Sequence, residues 1–183
     1  MRKSIIVALA TLVFVNIFAQ DEKIKQIRKD YNELKASITK LPEMKEMGNM
    51  YCLTIDDNPY GGSYPAVGSF RVKTQFYYDI EGGEDPVLRM AIDTYAASAQ
   101  RMYIEVLYQD NKPVFIFLKN NYQGDEERRL YLEDGQVIQY SENNVVKPYP
   151  DADDNRSDLK TEADRLLQQF LTAKTDTPPT STD

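Results

Sequence analysis

The chain has 183 residues, a formal net charge of −7, one cysteine and no histidine. Without histidine, Ser-His-Asp and Cys-His nucleophile systems and His-rich zinc sites are excluded. The acidic charge disfavours nucleic-acid binding, and the length fits one domain.

The first 19 residues have the features of a secretory signal peptide. Arg2 and Lys3 precede the apolar stretch SIIVALATLVFVNIF, and Ala19 offers a small residue for cleavage. We expect a mature chain that begins at Gln20, with no membrane span and no lipid anchor. Loss of the two cations takes its charge from −7 to −9. Such a chain would be periplasmic or extracellular, and an uncleaved N-terminal anchor is the alternative.

Two helices are predicted, one near each end of the domain. After residue 20, apolar residues recur at steps of three and four until Pro42 breaks the pattern, at Ile24, Ile27, Tyr31, Leu34, Ile38 and Leu41. A second helix is expected from Ser157, a suitable N-cap, with apolar residues at the same steps, Leu159, Ala163, Leu166, Leu167, Phe170 and Leu171. Residues 175–183 are polar and predict a disordered tail.

Between the helices the apolar period is two, which indicates strands. The clearest strand is SFRVKTQFYYDI, in which one face carries Phe70, Val72, Thr74, Phe76, Tyr78 and Ile80. A hairpin about Asp110-Asn111 would set Val106 opposite Phe115 and Ile104 opposite Phe117. VLRMAIDTYA is expected to place Leu88, Met90 and Ile92 on one face.

A second hairpin is predicted about Asp134-Gly135, a favoured pair for a two-residue turn in which both residues have positive φ. A regular register would pair Leu132 with Val137 and Tyr131 with Ile138. It would also set Arg129 opposite Tyr140, where the guanidinium could stack on the ring.

The predicted fold is α+β: a single curved antiparallel β-meander of six or seven strands, with the N- and C-terminal helices packed on it, in one domain of residues 20–174. The segments FYYD, YIEVLYQD and ERRLYLEDGQVI, within residues 50–141, resemble those of a group of uncharacterised exported bacterial proteins. That group shares the signal, the helix and the meander. The resemblance implies this architecture and no activity.

Three segments contain charged residues in patterns that could bind an ion. Asp151, Asp153, Asn155, Ser157 and Glu162 occupy EF-hand positions 1, 3, 5, 7 and 12. Arg156 replaces the usual glycine, so we favour an acidic loop followed by a capped helix. The turn with Asp79, Glu81, Glu84 and Asp85 is likewise expected to hold no calcium. Arg128 and Arg129 are interpreted as a solvated pair next to Glu126 and Glu127 rather than as an anion site.

Cys52 lies among apolar residues in MYCLTI, which predicts a buried thiol. No histidine is present to activate it as a nucleophile. No catalytic residue, cofactor or metal is therefore predicted.

Tyrosines are the remaining candidates for ligand contact, since they offer a large apolar ring with one polar tip. Tyr60 and Tyr64, in a loop rich in glycine and proline, are the preferred pair. Tyr77, Tyr103 and Tyr108 are further candidates, although tyrosine is also an ordinary sheet residue.

The sequence thus predicts an exported, non-catalytic cell-envelope protein that binds a protein, a glycan or a small ligand through its sheet or loops. The alternative is a secreted hydrolase that depends on carboxylates or calcium.

Overall fold

The computed structural model describes residues 2–43, 50–65, 68–81, 85–122, 124–150 and 158–175. The chain divides into two compact units, Met1–Glu43 and Met44–Asp183. The first unit is helix α1, Arg2–Lys40, followed by a short 3-10 helix, Leu41–Glu43, so the predicted helix stop at Pro42 is confirmed. Within the described ranges, no helix is long and apolar enough to cross a membrane.

Within the described residues, the second unit contains an antiparallel sheet of nine strands. They are β1 Met50–Asp57, β2 Ser63–Tyr64, β3 Gly68–Glu81, β4 Asp85–Ala97, β5 Gln100–Gln109, β6 Lys112–Asn120, β7 Glu126–Glu133, β8 Gln136–Glu142 and β9 Val145–Lys147. Their order is β1-β3-β4-β5-β6-β7-β8-β9, and β2 pairs with β3. The predicted α+β meander is confirmed, but the part of the chain that the structure describes forms nine strands rather than six or seven. Strands as short as β2 and β9 carry no readable alternation.

Three tight turns connect neighbouring strands from β5 to β9. Asp110 and Asn111 have φ of 50° and 56°, Asp134 and Gly135 have φ of 48° and 76°, and Asn143 and Asn144 have φ of 47° and 67°. Positive φ at both central residues suits the right-handed twist of the strands that they join. The predicted turn at Asp134-Gly135 is therefore confirmed.

Three β-bulges shift the register of the meander. The pairing skips Arg89 in β4, Val114 in β6 and Ile138 in β8, each on the second strand of its hairpin. A bulge inserts one extra residue and moves the following side chains to the other face of the strand.

The bulges overturn several predicted pairs. Leu132 does pair with Val137, but Tyr131 pairs with Gln139 and Arg129 with Ser141. In the β5–β6 hairpin, Val106 pairs with Ile116 and Ile104 with Leu118, not with the two phenylalanines. Because of the bulge at Arg89, Leu88 packs in the main hydrophobic core on one face of the sheet, whereas Met90 and Ile92 lie on the other face.

Helix α2, Leu159–Thr175, packs against one face of the sheet, here called the α2 face. Its buried residues, Leu159, Ala163, Leu166 and Phe170, follow steps of four, three and four, as predicted from the sequence. The Phe170 ring lies 5.7 Å from Phe76 and 5.3 Å from Tyr78, centroid to centroid. Each fully buried large apolar side chain contributes about 1.5–3 kcal/mol to burial energy, so this contact holds the helix on the sheet.

Asp158 is the N-cap of α2. Its Oδ1 accepts a hydrogen bond from the backbone N–H of Lys160 at 3.1 Å, and its Oδ2 accepts one from the Thr161 hydroxyl at 2.8 Å. The predicted cap, Ser157, lies outside the described residues. An aspartate at this position also places a negative charge at the positive end of the helix dipole.

Candidate functional site

The loop between β1 and β3 is held by the side chain of Asn58. Its Nδ2 donates to the carbonyl oxygens of Gly62 at 2.7 Å and Phe70 at 2.5 Å, and its Oδ1 accepts from the Gly62 N–H at 2.8 Å. The Ser69 hydroxyl donates to the Gly61 carbonyl at 2.8 Å. Asn58 and Gly61 have φ of 53° and 66°, conformations that asparagine and glycine tolerate. The loop is thus internally braced.

This braced loop presents the two predicted tyrosines to solvent. Tyr60 is 98% exposed and Tyr64 is 59% exposed. The ring of Tyr64 also lies 5.3 Å from that of Phe70, tilted by 56°. Tyr64 is therefore backed by a second aromatic ring, while Tyr60 projects free of the sheet.

Next to this loop, a row of half-buried residues crosses the α2 face from β3 to β7. The register pairs them successively, and we call them the open row: Val72, Tyr95, Met102, Asn120 and Glu126. All five are partly exposed. The row is apolar near the tyrosine loop and polar at its far end, so it could contact a ligand of mixed character.

The polar end of the open row leads to a cluster centred on Arg128. This guanidinium binds Glu126 through Nε and Nη2, both at 2.8 Å, and its side chain is only 10% exposed. Burial by itself would lower the pKa of Arg128, but the hydrogen bonds to Glu126 raise it. Those same bonds lower the pKa of Glu126 despite partial burial. The prediction that Arg128 is solvated is therefore wrong.

Glu142 completes this cluster. It accepts hydrogen bonds from the Tyr140 hydroxyl at 2.6 Å and from Lys147 Nζ at 2.5 Å. Burial and the bond to Glu142 raise the pKa of Tyr140. The cluster pairs each carboxylate with a cation, so it is a neutral network rather than a free anion site.

Arg129 lies on the face opposite to Arg128. Its Nη2 binds Glu127 at 2.9 Å, its Nη1 binds the Asn144 side chain at 2.9 Å, and its guanidinium lies 5.0 Å from the centroid of Phe117. The predicted stacking on Tyr140 is wrong, because the bulge at Ile138 places Ser141 opposite Arg129.

A second cluster lies beneath α2. Asp93 is 4% exposed and accepts a hydrogen bond from the Thr74 hydroxyl at 2.5 Å. Arg165 of α2 reaches it at 3.3 Å and binds Glu162 more closely, at 2.5 Å. Burial raises the pKa of Asp93, although Thr74 and Arg165 oppose the shift.

The other candidate tyrosines are buried or half-buried. Tyr108 is 1% exposed and donates to the Ala163 carbonyl at 2.7 Å. Tyr77 is 8% exposed, and burial raises its pKa to about 12. Tyr103 is half-buried and donates a hydrogen bond to Glu105.

Cys52 is exposed, so the predicted buried thiol is wrong. Cys52 lies on β1, the first strand in the sheet order. Its side chain is on the opposite face of the strand from Leu53 and Ile55, which pack against the core. Alternation in the sequence already separated Cys52 from those residues.

Of the five candidate ligands in the first calcium segment, only Glu162 lies within the described residues, on α2. In the second segment Asp79 and Glu81 lie at the end of β3 and Asp85 at the start of β4, whereas Glu84 lies outside the described residues. Among the described residues, no group of three or more acidic or cysteine side chains could hold a metal ion.

The open row and the Arg128 cluster were not predicted. The sequence did indicate that Arg128 faces the core. It precedes Leu130 by two residues and Leu132 by four, so the three side chains lie on one face of the strand.

No protein-family model, no curated protein and no solved structure matches this chain.

Proposed function

We propose that this protein is an exported, non-catalytic binding protein whose ligand contacts the Tyr60–Tyr64 loop and the open row. The observation that carries the proposal is the 98% exposure of Tyr60 on a loop fixed by the Asn58 hydrogen bonds. A large apolar ring held in water gains contact area when a ligand covers it.

Preorganisation supports this role for the loop. Ordering a side chain or a loop on binding costs free energy, and a loop that is already braced avoids part of that cost. Tyrosine adds contact area with few rotatable bonds and keeps one hydrogen-bonding tip. Of the protein, glycan and small ligands left open by the sequence, a glycan fits best, because a sugar ring has an apolar face for stacking and hydroxyls for polar groups.

The hydrolase alternative receives less support from the geometry. It needs one carboxyl with a raised pKa beside an ionised one in an open cleft. Asp93 has the raised pKa but is 4% exposed beneath α2, whereas the pKa of Glu126 in the open row is lowered.

An array of bacterial-envelope oligosaccharides tests the proposal. The wild-type protein should bind at least one glycan, and the Y60S/Y64S double variant should lose that binding. Y122S is the matched control, because Tyr122 is 66% exposed and lies outside the loop. Equal binding by Y60S/Y64S and the wild type, or no glycan bound by the wild type, would refute the proposal.

A further inference from the structure

The sheet face opposite to α2 carries a band of cations. The band comprises Arg71 and Lys73 on β3, Arg101 on β5, Lys119 on β6 and Arg129 on β7. The cross-strand register places all five on one face, toward the strand ends that join β4 to β5 and β6 to β7. A local concentration of positive charge is unexpected in a chain with a net charge of −7.

The carboxylates within the band do not neutralise it. Asp56 binds Arg71 at 2.5 Å, and Glu127 is shared by Lys119 at 3.4 Å and Arg129 at 2.9 Å. Glu105 also lies on this face, where it is buried and accepts a hydrogen bond from Tyr103. Five cations thus share this part of the face with three carboxylates.

Arg101 of the band hydrogen-bonds to neutral groups. Its Nη1 donates to two neutral acceptors, the carbonyl oxygens of Ser98 and Gln100, each at 2.9 Å. Arg71, Arg101 and Lys119 are exposed, and Lys73 is half-buried. The band therefore attracts anions from solution.

The groups between the cations define the kind of anion. Successive register pairs place Lys73, Thr94, Tyr103 and Lys119 in one row. With strands about 4.8 Å apart, the two lysines are separated by roughly 14 Å. A hydroxyl and a half-buried aromatic ring occupy the space between them.

We propose that this cationic band binds an acidic polysaccharide, a chain of carboxylated sugars laid across the strands. Sugar rings pack on Tyr103, hydroxyls meet Thr94, and carboxylates pair with Lys73, Lys119 and the guanidinium of Arg101. An anionic membrane would instead favour exposed apolar side chains among the cations. This face is opposite to the open row, so the inference does not rest on the function proposed above.

Affinity electrophoresis of the full chain in gels containing polygalacturonate tests this inference, with dextran as the neutral polymer. The wild type should be retarded by polygalacturonate and not by dextran, and added salt should weaken the retardation. K73Q/R101Q/K119Q should bind about tenfold more weakly, which corresponds to about 1.4 kcal/mol. Glutamine removes charge without reversing it, so the fold should persist, as an unchanged melting temperature would show.

The matched control is K25Q/K29Q/K112Q, which removes the same charge from exposed lysines outside the band. It should bind polygalacturonate as the wild type does. If the two triple variants lost equal affinity for polygalacturonate, the effect would be one of general charge, and the proposed site would be overturned. Absence of wild-type retardation, or binding to phosphatidylglycerol vesicles but not to polygalacturonate, would overturn the polysaccharide assignment.

Discussion

At the scale of single residues, Gly135 shows how backbone conformation restricts sequence. Its φ is 76°, and nothing lies within 4 Å of the position that a Cβ would occupy. A larger side chain would therefore meet strain in the backbone rather than a clash with neighbours.

We expect Gly135→Val to lower the free energy of unfolding by about 1–3 kcal/mol, because a β-branched residue fits positive φ badly. Gly135→Asn should cost less, since asparagine tolerates the left-handed region. Urea unfolding measures both. Equal losses for the two variants would contradict the backbone explanation.

Arg128 and Arg129 are adjacent in sequence but lie in different environments. Because Arg128 is buried against Glu126, Arg128→Ala should destabilise the protein by about 2–4 kcal/mol, leaving a partly buried carboxylate unpaired. Arg129→Ala should cost only about 0.5–1 kcal/mol, because its pair with Glu127 is more exposed.

Urea denaturation of both arginine variants, with Glu126→Gln and the double variant Glu126→Gln/Arg128→Ala, would measure the coupling between Arg128 and Glu126. A coupling near zero, or similar losses for the two arginines, would restore the interpretation of a solvated pair.

At the scale of elements, the contact between α2 and β4 depends on a buried carboxyl. The pKa of Asp93 is raised above its ordinary value of 3.8 by burial. Protonated Asp93 therefore favours the folded state, and this contribution is complete below the unfolded pKa and is lost as pH rises through the folded pKa.

Comparison with Asp93→Asn isolates this effect, because asparagine does not titrate. As pH rises from 3.5 to 7, the stability of the wild type should fall relative to that of Asp93→Asn. Chemical denaturation at several pH values measures the difference. If the stability of the wild type instead rises relative to that of Asp93→Asn, the attraction of Arg165 outweighs burial and the pKa of Asp93 is lowered.

The elements also show how far the sequence could predict the fold. Asp134-Gly135 and the apolar steps of α2 gave the correct turn and helix face, because each depends on local conformation or on a simple period. The bulges at Arg89, Val114 and Ile138 have no comparable signature, since one extra residue leaves composition and alternation nearly unchanged. Every wrong pair in the two hairpins lies at such a bulge or on the side of it away from the turn.

The candidate site was predictable only in its loop. Tyr60 and Tyr64 stood out because glycine and proline mark an exposed loop. The open row joins residues from five strands, and its members meet only after the register is known. The burial of Arg128 depends on the same register, although its spacing from the leucines was a usable clue.

At the scale of the whole molecule, export stays a prediction from the first 19 residues. N-terminal sequencing of the protein recovered from outside the cytoplasm should give a chain that begins near Gln20. This expectation rests on the two cationic residues near the N-terminus, on the apolar stretch that follows them and on Ala19 before the expected cleavage point. A protein that still begins at Met1 and sediments with membranes would support the uncleaved anchor instead.

The strand order has a consequence for folding kinetics. From β3 to β9 every strand pairs with its neighbour in sequence, so each pairing closes only a short loop and loses little chain entropy. Such hairpins can form one after another, which favours rapid folding for a sheet protein. Helix α2 differs, because its contacts join residues far apart in sequence, as Lys174 joins Tyr78 and Arg165 joins Asp93. Docking of α2 is therefore expected to be the late, slow step, and a chain that ends before residue 158 would leave the α2 face of the sheet without its helix.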